Sequence, residues 1–312
     1  VAPGFIEAEG MSKGIMHLID TDRAEDLYGK MPATRQQISG GSAANTAAGV
    51  ASLGGRAAFV GKVADDELGD DFDTDFNEIG VHYTTSRLKN GALTGRCMIF
   101  VSDDGERTMN TYLGACQQLT EHDIVEDEIA SAAITYMEGF LWDPQEAKKA
   151  FVLAAHYAHK QERATAFTLS DPFCVGRYRE EFLELMKSGT VDIVFANKQE
   201  LLSLYETDDF ELALGKIAHD CKLAAITLSE EGAVLVRGKE RIAIPAYAIE
   251  ELVDTTGAGD LFAAGFLYGY TADRSLEDCG KLGCLVAAIV IQQLGPRPMV
   301  SLAQAAKERG LI

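Results

Sequence analysis

The sequence predicts an α/β protein in which helices cover both faces of a mainly parallel sheet. Short apolar segments alternate with helical patterns through most of the 312 residues. The apolar segments contain few polar residues, which is typical of strands that are buried on both faces. No internal repeat or low-complexity stretch interrupts this order, so we interpret residues 1–312 as one domain.

The predicted strands follow one another along the chain, and helical patterns lie between and beyond them. The strands are residues 57–61, 133–136, 164–169, 192–195, 224–228 and 233–236. The helices are residues 43–53, 67–79, 145–159, 180–186, 198–205, 210–219 and 261–270. The apolar run 282–291 is roughly half as long as a membrane span and is predicted to be a buried helix.

Two segments depart from the alternation, approximately residues 13–38 and 82–112. Both contain strand-like runs without helices between them. In the second, Asp103-Asp104-Gly105 separates two β-prone runs, which predicts a hairpin. We interpret the segments as a small sheet that projects from the α/β body. The alternative is an antiparallel edge of the main sheet.

Charge and composition exclude several classes of partner. Asp and Glu number 48 against 28 Lys and Arg, so the net charge is −20. A nucleic-acid-binding face is basic, and an anionic membrane surface repels such a protein. No apolar run reaches the length of a membrane span of about 18 residues. The scattered cysteines and the absence of a visible secretory signal favour a cytoplasmic protein with reduced thiols.

Two glycine-rich stretches are candidates for binding a ligand. The first, residues 40–47 (GGSAANTA), lets the backbone approach a ligand closely and continues into a helix that carries Asn45. The second, residues 254–260 (DTTGAGD), brings successive amides to a helix N-terminus, where an anion binds. The chain has neither a GxxxxGK[ST] loop nor a GxGxxG fingerprint, so the turn 257–260 is the best candidate for a phosphate cradle.

A carboxylate follows that cradle directly, at Asp260. Like charges repel, so a carboxylate beside an anion site weakens anion binding. The arrangement makes sense if Asp260 takes a proton from a hydroxyl that attacks the bound phosphate. The alternative is an Asp that only stabilises the helix N-terminus.

Four motifs in this order resemble those of the PfkB/ribokinase family of carbohydrate and nucleoside kinases. Residues 40–69 resemble the first family signature and residues 254–265 the second. Residues 197–200 (NKQE) match the Asn-x-x-Glu motif, and residues 227–232 resemble the nucleotide-edge loop. The resemblance implies a ribokinase-like three-layer α/β/α sandwich with a mainly parallel central sheet and a small β-sheet lid. It also implies transfer of the γ-phosphoryl group of ATP to a hydroxymethyl group.

The resemblance assigns roles to individual residues. Asp260 maps onto the catalytic base. The anion hole maps onto Gly257, Ala258 and Gly259. The sugar-binding turn maps onto Gly41, Ser42 and Asn45.

The nucleotide and ion sites are implied in the same way. The ATP-binding residues are Asn197, Thr227, Gly232, Gly257, Gly259, Cys284 and Ala288. The Asn197 and Glu200 motif organises Mg²⁺ and its waters, with Glu200 acting through water. Many family members also bind a monovalent cation such as K⁺, and that site maps onto Asp254, Thr256 and the backbone near Gly295.

One part of the family pattern is missing. Family members normally begin with a strand, followed by an Asp that holds the sugar hydroxyls, and residues 1–10 supply neither. The chain begins with Val, so we expect its natural N-terminus, with that Asp, to lie upstream. Asp20 and Asp22 are poor substitutes because they belong to the lid pattern. The lid would exclude water from the site, and in some members two lids pair into a homodimer.

Three segments favour a nucleoside acceptor, with adenosine 5′-OH as the phosphorylated group. Residues 41–46 (GSAANT), 170–173 (SDPF) and 294–298 (LGPRP) resemble the adenosine-kinase-like branch. A base needs an apolar or aromatic wall. The candidates, each of which could instead pack in the core or the lid, are Phe140, Trp142, Phe173 and Tyr112.

Other functions stay open at the level of sequence. The acceptor could be a sugar, as in ribokinase- or fructokinase-like enzymes. A catalytically silent member that senses a sugar or nucleotide is disfavoured by the intact Asp260, Asn197 and Glu200. A dinucleotide-dependent oxidoreductase has a similar architecture but needs a glycine fingerprint that this chain lacks.

Overall fold

The computed structural model describes residues 1–2, 4–13, 15–102 and 107–312. These residues form two compact units. The smaller unit contains Val1–Gln37, Gly61–Phe72 and Thr85–Leu119. The larger unit contains Ile38–Val60, Asp73–Thr84 and Thr120–Ile312.

The described residues form eleven strands and twelve α-helices. The strands are β1 (Met16–Leu18), β2 (Ala58–Phe59), β3 (His82–Tyr83), β4 (Arg96–Val101), β5 (Arg107–Tyr112), β6 (Ile134–Glu138), β7 (Ala164–Thr168), β8 (Ile193–Asn197), β9 (Leu223–Thr227), β10 (Ala233–Arg237) and β11 (Glu240–Ile244). The helices are α1 (Phe5–Ala8), α2 (Thr21–Lys30), α3 (Ser42–Ser52), α4 (Glu67–Ile79), α5 (Glu126–Ser131), α6 (Gln145–Lys160), α7 (Pro172–Lys187), α8 (Lys198–Tyr205), α9 (Phe210–Asp220), α10 (Ala258–Thr271), α11 (Leu276–Val290) and α12 (Leu302–Glu308).

A six-stranded sheet lies at the centre of the larger unit, in the order β11-β10-β9-β8-β7-β6. Strands β6, β7, β8 and β9 pair in parallel, whereas β10 pairs antiparallel with both β9 and β11. The sheet is therefore mixed, with the expected parallel core and an antiparallel edge. Strands β2 and β3 form a separate parallel pair.

Aromatic side chains pack against both faces of this sheet. Phe167 pairs in register with Val194, so Phe195, one residue further along β8, faces the opposite side. Phe195 contacts Phe266 of α10, with ring centroids 5.4 Å apart. On the other face Phe167 contacts Phe182 of α7 at 5.0 Å. This packing confirms the prediction that helices cover both faces of buried strands.

The smaller unit contains a three-stranded sheet in the order β1-β5-β4. Strand β1 is parallel to β5, and β4 is antiparallel to β5, with Val101 opposite Arg107. The antiparallel pair agrees with the predicted hairpin, although its turn residues, Asp103-Asp104-Gly105, lie outside the described residues. Strand β3, which falls within the predicted lid segment 82–112, pairs with β2 in the larger unit instead.

The segment 13–38 contains a helix, contrary to the interpretation that it is strand-like throughout. The side chain of Asp20 accepts a hydrogen bond from Arg23 N and caps α2. Ala24 and Leu27 pack in the core of the smaller unit with Phe100 and other apolar residues. Only two positions of this helix are fully buried, and most of its other residues are polar or charged, so few apolar residues mark it in the sequence.

No helix among the described residues has the length and apolar character needed to cross a membrane. The run 282–291 that the sequence marked as apolar lies largely within α11, which packs against α10 and the sheet.

Candidate active site

The N-termini of α3 and α10 meet in the larger unit and bring the two glycine-rich stretches together. Gly41 precedes α3 with φ of +101°, and Gly257 precedes α10 with φ of +80°. Both values lie in the region that favours glycine. Ser42 Oγ donates to Asp260 Oδ1 at 2.7 Å, and Asn45 Nδ2 donates to the other oxygen, Oδ2, at 2.8 Å.

Two further contacts fix this junction. Thr46 Oγ1 donates to the backbone oxygen of Asp260 at 3.1 Å. Gly49 has no room for a side chain, because a Cβ there would lie 2.6 Å from the Cβ of Ala264 and 2.7 Å from a methyl group of Leu261. The close approach of the two helices therefore depends on a glycine in the interior of α3.

The Asp260 carboxyl is positioned and electrostatically suited to accept a proton. Desolvation by the surrounding protein raises its pKa to about 6, and the hydrogen bonds from Asn45 and Ser42 and the charge of Arg297 oppose that rise. The carboxylate is thus mostly ionised at neutral pH but more basic than an exposed Asp. A pKa just below the working pH suits a general base.

The predicted anion hole forms the first turn of α10. The first amides of a helix have no partner within the helix, and the helix dipole adds positive potential there. Gly257 and Gly259 supply such amides directly before Asp260, whereas Ala258 N donates to Thr255 O at 3.2 Å. A Cβ at Gly257 would lie 2.6 Å from the Cβ of Pro296, so the turn packs tightly against the segment that follows Gly295.

Asp254 forms hydrogen bonds to the other residues that the resemblance assigns to a monovalent-cation site. Its Oδ1 accepts from Thr256 N, and its Oδ2 accepts from Gly295 N, both at 2.9 Å. Asp254 is buried. The structure therefore brings Asp254, Thr256 and Gly295 together, as the resemblance implied.

Asn197 and Glu200 form a reciprocal cap at the start of α8. Asn197 Oδ1 accepts from Glu200 N at 2.9 Å, and Glu200 accepts from both Asn197 N and Asn197 Nδ2. Burial raises the pKa of the Glu200 carboxyl to about 7, and the charge of Asp171 adds to that rise. Asp171 itself caps α7 by accepting from Cys174 N at 2.6 Å.

These carboxylates fit a magnesium ion that is held through water. Each Glu200 oxygen is occupied by a donor from Asn197 but keeps a second lone pair. A cation near Glu200 and Asp171 would relieve the repulsion between them. Mg²⁺ retains several waters in protein sites, so direct contact with Glu200 is not required.

Four of the predicted ATP-binding residues lie on three parts of the chain: β9, the turn before β10, and α11. Thr227 pairs in register with Asn197 at the carboxyl ends of β9 and β8. Gly232 has φ of +95°, and a Cβ there would lie 2.1 Å from Ile244 O. Cys284 and Ala288 are buried one turn apart on α11, and Cys284 packs in the apolar cluster that includes Phe262 and Leu235.

Two of the four aromatic candidates for a base-binding wall are core residues instead. Trp142 packs against Phe167 and Phe182, and its Nε1 donates to Glu181 at 2.8 Å. Tyr112 packs in the core of the smaller unit. Large aromatic side chains gain most by full burial, and sequence position near a predicted loop does not reveal that.

The other two aromatic candidates remain available for a ligand. Phe140 is half-buried just beyond β6, and its backbone N–H donates to Ser170 Oγ at 3.0 Å. Phe173 is 56% exposed, with the Arg177 guanidinium 5.2 Å from its ring centroid.

A second carboxylate that sequence reasoning missed lies next to this junction. Glu138 ends β6 and accepts from Ala43 N, in the first turn of α3, at 2.6 Å. Burial raises its pKa to about 7, and the nearby charge of Asp260 adds to the rise. Its position in the sequence, at the end of an apolar strand, could have identified it as a site residue. Ligands bind at the carboxyl ends of the strands in parallel sheets of this kind.

The chain is similar to known kinases over most of its length. A family model described as pfkB family carbohydrate kinase matches residues 11–302. A probable sugar kinase from Rhizobium etli is 60% identical with a TM-score of 0.96, and covers 100% of this chain and 94% of its own. An adenosine kinase from Sinorhizobium meliloti is 61% identical with a TM-score of 0.94, covering 99% and 94%. A yeast adenosine kinase is 27% identical over an alignment of 283 positions that covers 86% of this chain and 81% of the yeast protein.

Proposed function

Because the chain belongs to the pfkB family of carbohydrate kinases, we propose that it phosphorylates a nucleoside, with the 5′-hydroxyl of adenosine as the acceptor. It is a kinase that transfers a phosphoryl group from ATP to a nucleoside or sugar. The observation that carries the proposal is the junction of α3 and α10, where Ser42 and Asn45 of the acceptor turn hold Asp260 beside the anion cradle.

Asp260 acts as the general base in this proposal. The acceptor hydroxyl donates its proton to the Asp260 carboxylate as its oxygen attacks the γ-phosphorus. Ser42 and Asn45 each hold one carboxylate oxygen, so the second lone pair of either oxygen is available for that proton. The side-chain oxygen of Asn45 is buried without a hydrogen-bond partner in the described structure. A hydroxyl group of the bound nucleoside can donate a hydrogen bond to it.

The first turn of α10 stabilises the charge that develops on the transferring phosphoryl group. Its amides are fixed before the reaction, so no reorganisation is needed when the charge moves. Mg²⁺, held through water near Glu200 and Asp171, would supply further neutralisation of the phosphate charge. The tight packing of Gly257 on Pro296 keeps the turn in place.

Two observations support a nucleoside acceptor. The adenosine kinase from S. meliloti is 61% identical over nearly the whole chain. Phe140 and Phe173 remain outside the aromatic core and can contact a planar base. A sugar acceptor is the second candidate, because the R. etli protein described as a probable sugar kinase is 60% identical over the whole chain.

Side-by-side kinetics distinguish the two acceptors. We expect adenosine to have a higher kcat/KM than ribose, fructose, inosine or keto-deoxygluconate, measured as ADP release. If ribose or fructose exceeds adenosine by about tenfold, which is about 1.4 kcal/mol of transition-state binding, the acceptor proposal fails and the kinase assignment stands.

We further propose K⁺ activation, a cytoplasmic location and a homodimer. Asp254 and Gly295, which the resemblance assigns to a monovalent-cation site, are joined by a hydrogen bond. All six cysteines are free, which suits a reducing compartment. Leu18 and Val101 of the small sheet are exposed and could pair with a second copy. Activity measured in potassium chloride and in choline chloride tests K⁺ activation. Cell fractionation tests the location, and light scattering tests the homodimer.

A further inference from the structure

The Arg297 side chain contains a buried hydrogen-bond donor that has no partner among the described residues. Its Nε donates to Ser39 O at 3.0 Å, and its guanidinium lies 5.1 Å from the ring centroid of Phe76. These two contacts fix the plane of the group. Its Nη2 is buried and has no hydrogen-bond partner among the described residues. A buried N–H of a charged group without a partner is costly, so its presence calls for an acceptor that arrives with a ligand.

The position of Arg297 identifies the kind of ligand. Pro296, its neighbour in sequence, packs directly on Gly257 of the anion cradle. The charges of Asp260 and Asp75 both act on the guanidinium. Burial lowers the pKa of Arg297 to about 10, so the group stays cationic at neutral pH. A half-buried cation therefore lies within electrostatic range of the proposed base, on the segment whose Pro296 packs against the cradle for phosphate.

We infer that Arg297 is a catalytic residue whose free N–H binds an oxygen of the phosphoryl group during transfer. The inference rests on the proposed function only in requiring phosphoryl transfer, whichever acceptor is used. The acceptor oxygen forms a bond to the γ-phosphorus while the bond from phosphorus to the bridging oxygen breaks. That electron pair leaves with ADP, and the hydroxyl proton moves to Asp260. Negative charge on the phosphoryl oxygens then lies between the α10 amides and Arg297.

A purely structural role is the competing explanation. Arg297 holds Ser39 O, and Ser39 Oγ donates to Asp75, so the three residues tie the start of the acceptor turn to α4. If that were its whole function, its loss would loosen the turn. The acceptor KM would rise and the protein would be less stable, with little change in kcat.

Two substitutions separate these roles. Arg297→Met keeps a long unbranched side chain beside Phe76 and removes every donor. Arg297→Lys keeps the charge but cannot donate from two nitrogens at once. We expect kcat to fall about 100–1,000-fold in Arg297→Met, the usual loss for one transition-state donor, with the acceptor KM within threefold. Arg297→Lys should recover part of kcat. The matched control is Arg237→Gln, at the exposed β10–β11 hairpin, where Arg237 pairs with Glu240.

Binding of a transition-state mimic gives a readout that a structural role would not move. ADP with aluminium fluoride and the acceptor should bind wild type much more tightly than Arg297→Met, whereas ADP alone should bind both equally. Added guanidinium ion in the millimolar range should restore part of the turnover of Arg297→Met. Equal mimic affinity or an unchanged kcat in both substitutions would overturn the inference. If wild type transferred phosphate to no hydroxyl at all, the proposed function would fail first, and the inference with it.

Discussion

Asp260 is held by two donors that lie 215 and 218 residues earlier in the chain. At the residue scale this is the central feature of the candidate site, because each oxygen of the proposed base has one fixed partner and one free lone pair. The carboxylate cannot rotate without losing both bonds. Its direction relative to the cradle is therefore set before any ligand binds.

Asp260→Asn should lower kcat by about 10²–10⁴-fold, because an amide cannot take the hydroxyl proton. The fold should tolerate the change, since Asn45 has an unpartnered side-chain oxygen and can rotate its amide to accept from the new NH₂ group. Steady-state kinetics and calorimetric binding of ATP and acceptor on the same variant test this. A kcat within threefold of wild type would remove Asp260 from the mechanism.

The pH dependence of kcat/KM should report the ionisation of Asp260. Protonated Asp260 cannot act as a base, and its pKa is about 6. Activity should therefore rise from pH 5 to pH 7 with a midpoint near 6. Glu138, with a pKa of about 7 and in electrostatic contact with Asp260, couples to this titration and broadens it. A profile that is flat from pH 5 to pH 8 would contradict the assignment.

At the element scale, the site depends on how closely α3 and α10 approach each other. Gly49→Ala places a methyl group 2.6 Å from Ala264, so the helices must separate. We expect a loss of about 1–3 kcal/mol in unfolding free energy and a lower kcat, because Asp260 moves away from Ser42 and Asn45. Denaturant unfolding and kinetics measure both effects.

The matched control for that substitution is Gly215→Ala in α9. A Cβ there has no atom within 4 Å outside its own helix backbone and chain neighbours. The change should stabilise the protein by up to about 1 kcal/mol, through helix propensity, and leave kcat unaltered. Equal behaviour of the two variants would show that the contact at Gly49 is unimportant.

The cap at the start of α8 contains Glu200, the residue that we propose to hold Mg²⁺ through water. Glu200→Gln keeps an acceptor for one Asn197 donor but removes the charge that would hold a hydrated cation. The Mg²⁺ concentration for half-maximal activity should rise severalfold at saturating ATP. Asp209→Ala, which removes the cap of α9, should cost about 1 kcal/mol of stability without moving the Mg²⁺ curve. An unchanged Mg²⁺ requirement in Glu200→Gln would refute the assigned role.

At the scale of the whole molecule, three carboxyl groups with raised pKa values should make the stability depend on pH between about 4 and 7. Glu138, Glu200 and Asp260 have values of about 7, 7 and 6. As pH rises from about 4, the unfolded chain loses these protons first, so the unfolding free energy falls until the folded groups also ionise near pH 7. For Glu200 alone the change is on the order of 3 kcal/mol.

The melting temperature should therefore decrease from pH 5 to pH 7.5 at constant ionic strength. The net charge of −20 acts in the same direction, because repulsion grows as carboxyls ionise. Scanning calorimetry of wild type and Glu138→Gln measures the effect, and the variant should lose less stability over this range. A melting temperature that rises toward pH 7.5 would contradict the raised pKa values.

The sequence predicts those helices and strands whose ends and apolar faces are set by neighbouring residues. The bounds of α4 and α8 were predicted residue for residue, because their caps and apolar spacing are local. Two helices, α3 and α10, could be assigned to one site only through the family resemblance, since their contact joins residues more than 200 positions apart. Glu138 and Arg297 were not identified as site residues, because their burial and partners exist only in the fold. The helix α2 was missed because charged pairs, not an apolar stripe, dominate its surface.

The long sequence separation between Ser42 and Asp260 also has a consequence for synthesis on the ribosome. At about 5–20 residues per second, the acceptor turn emerges roughly 10–40 s before the residues that complete the junction. During that interval the nascent chain carries Ser42 and Asn45 but not their partner carboxylate or the phosphate cradle. If Asp260 and the first turn of α10 act as proposed, a chain that stalls or is cleaved before α10 lacks the phosphotransfer centre. Unfinished copies of the protein would then not consume ATP.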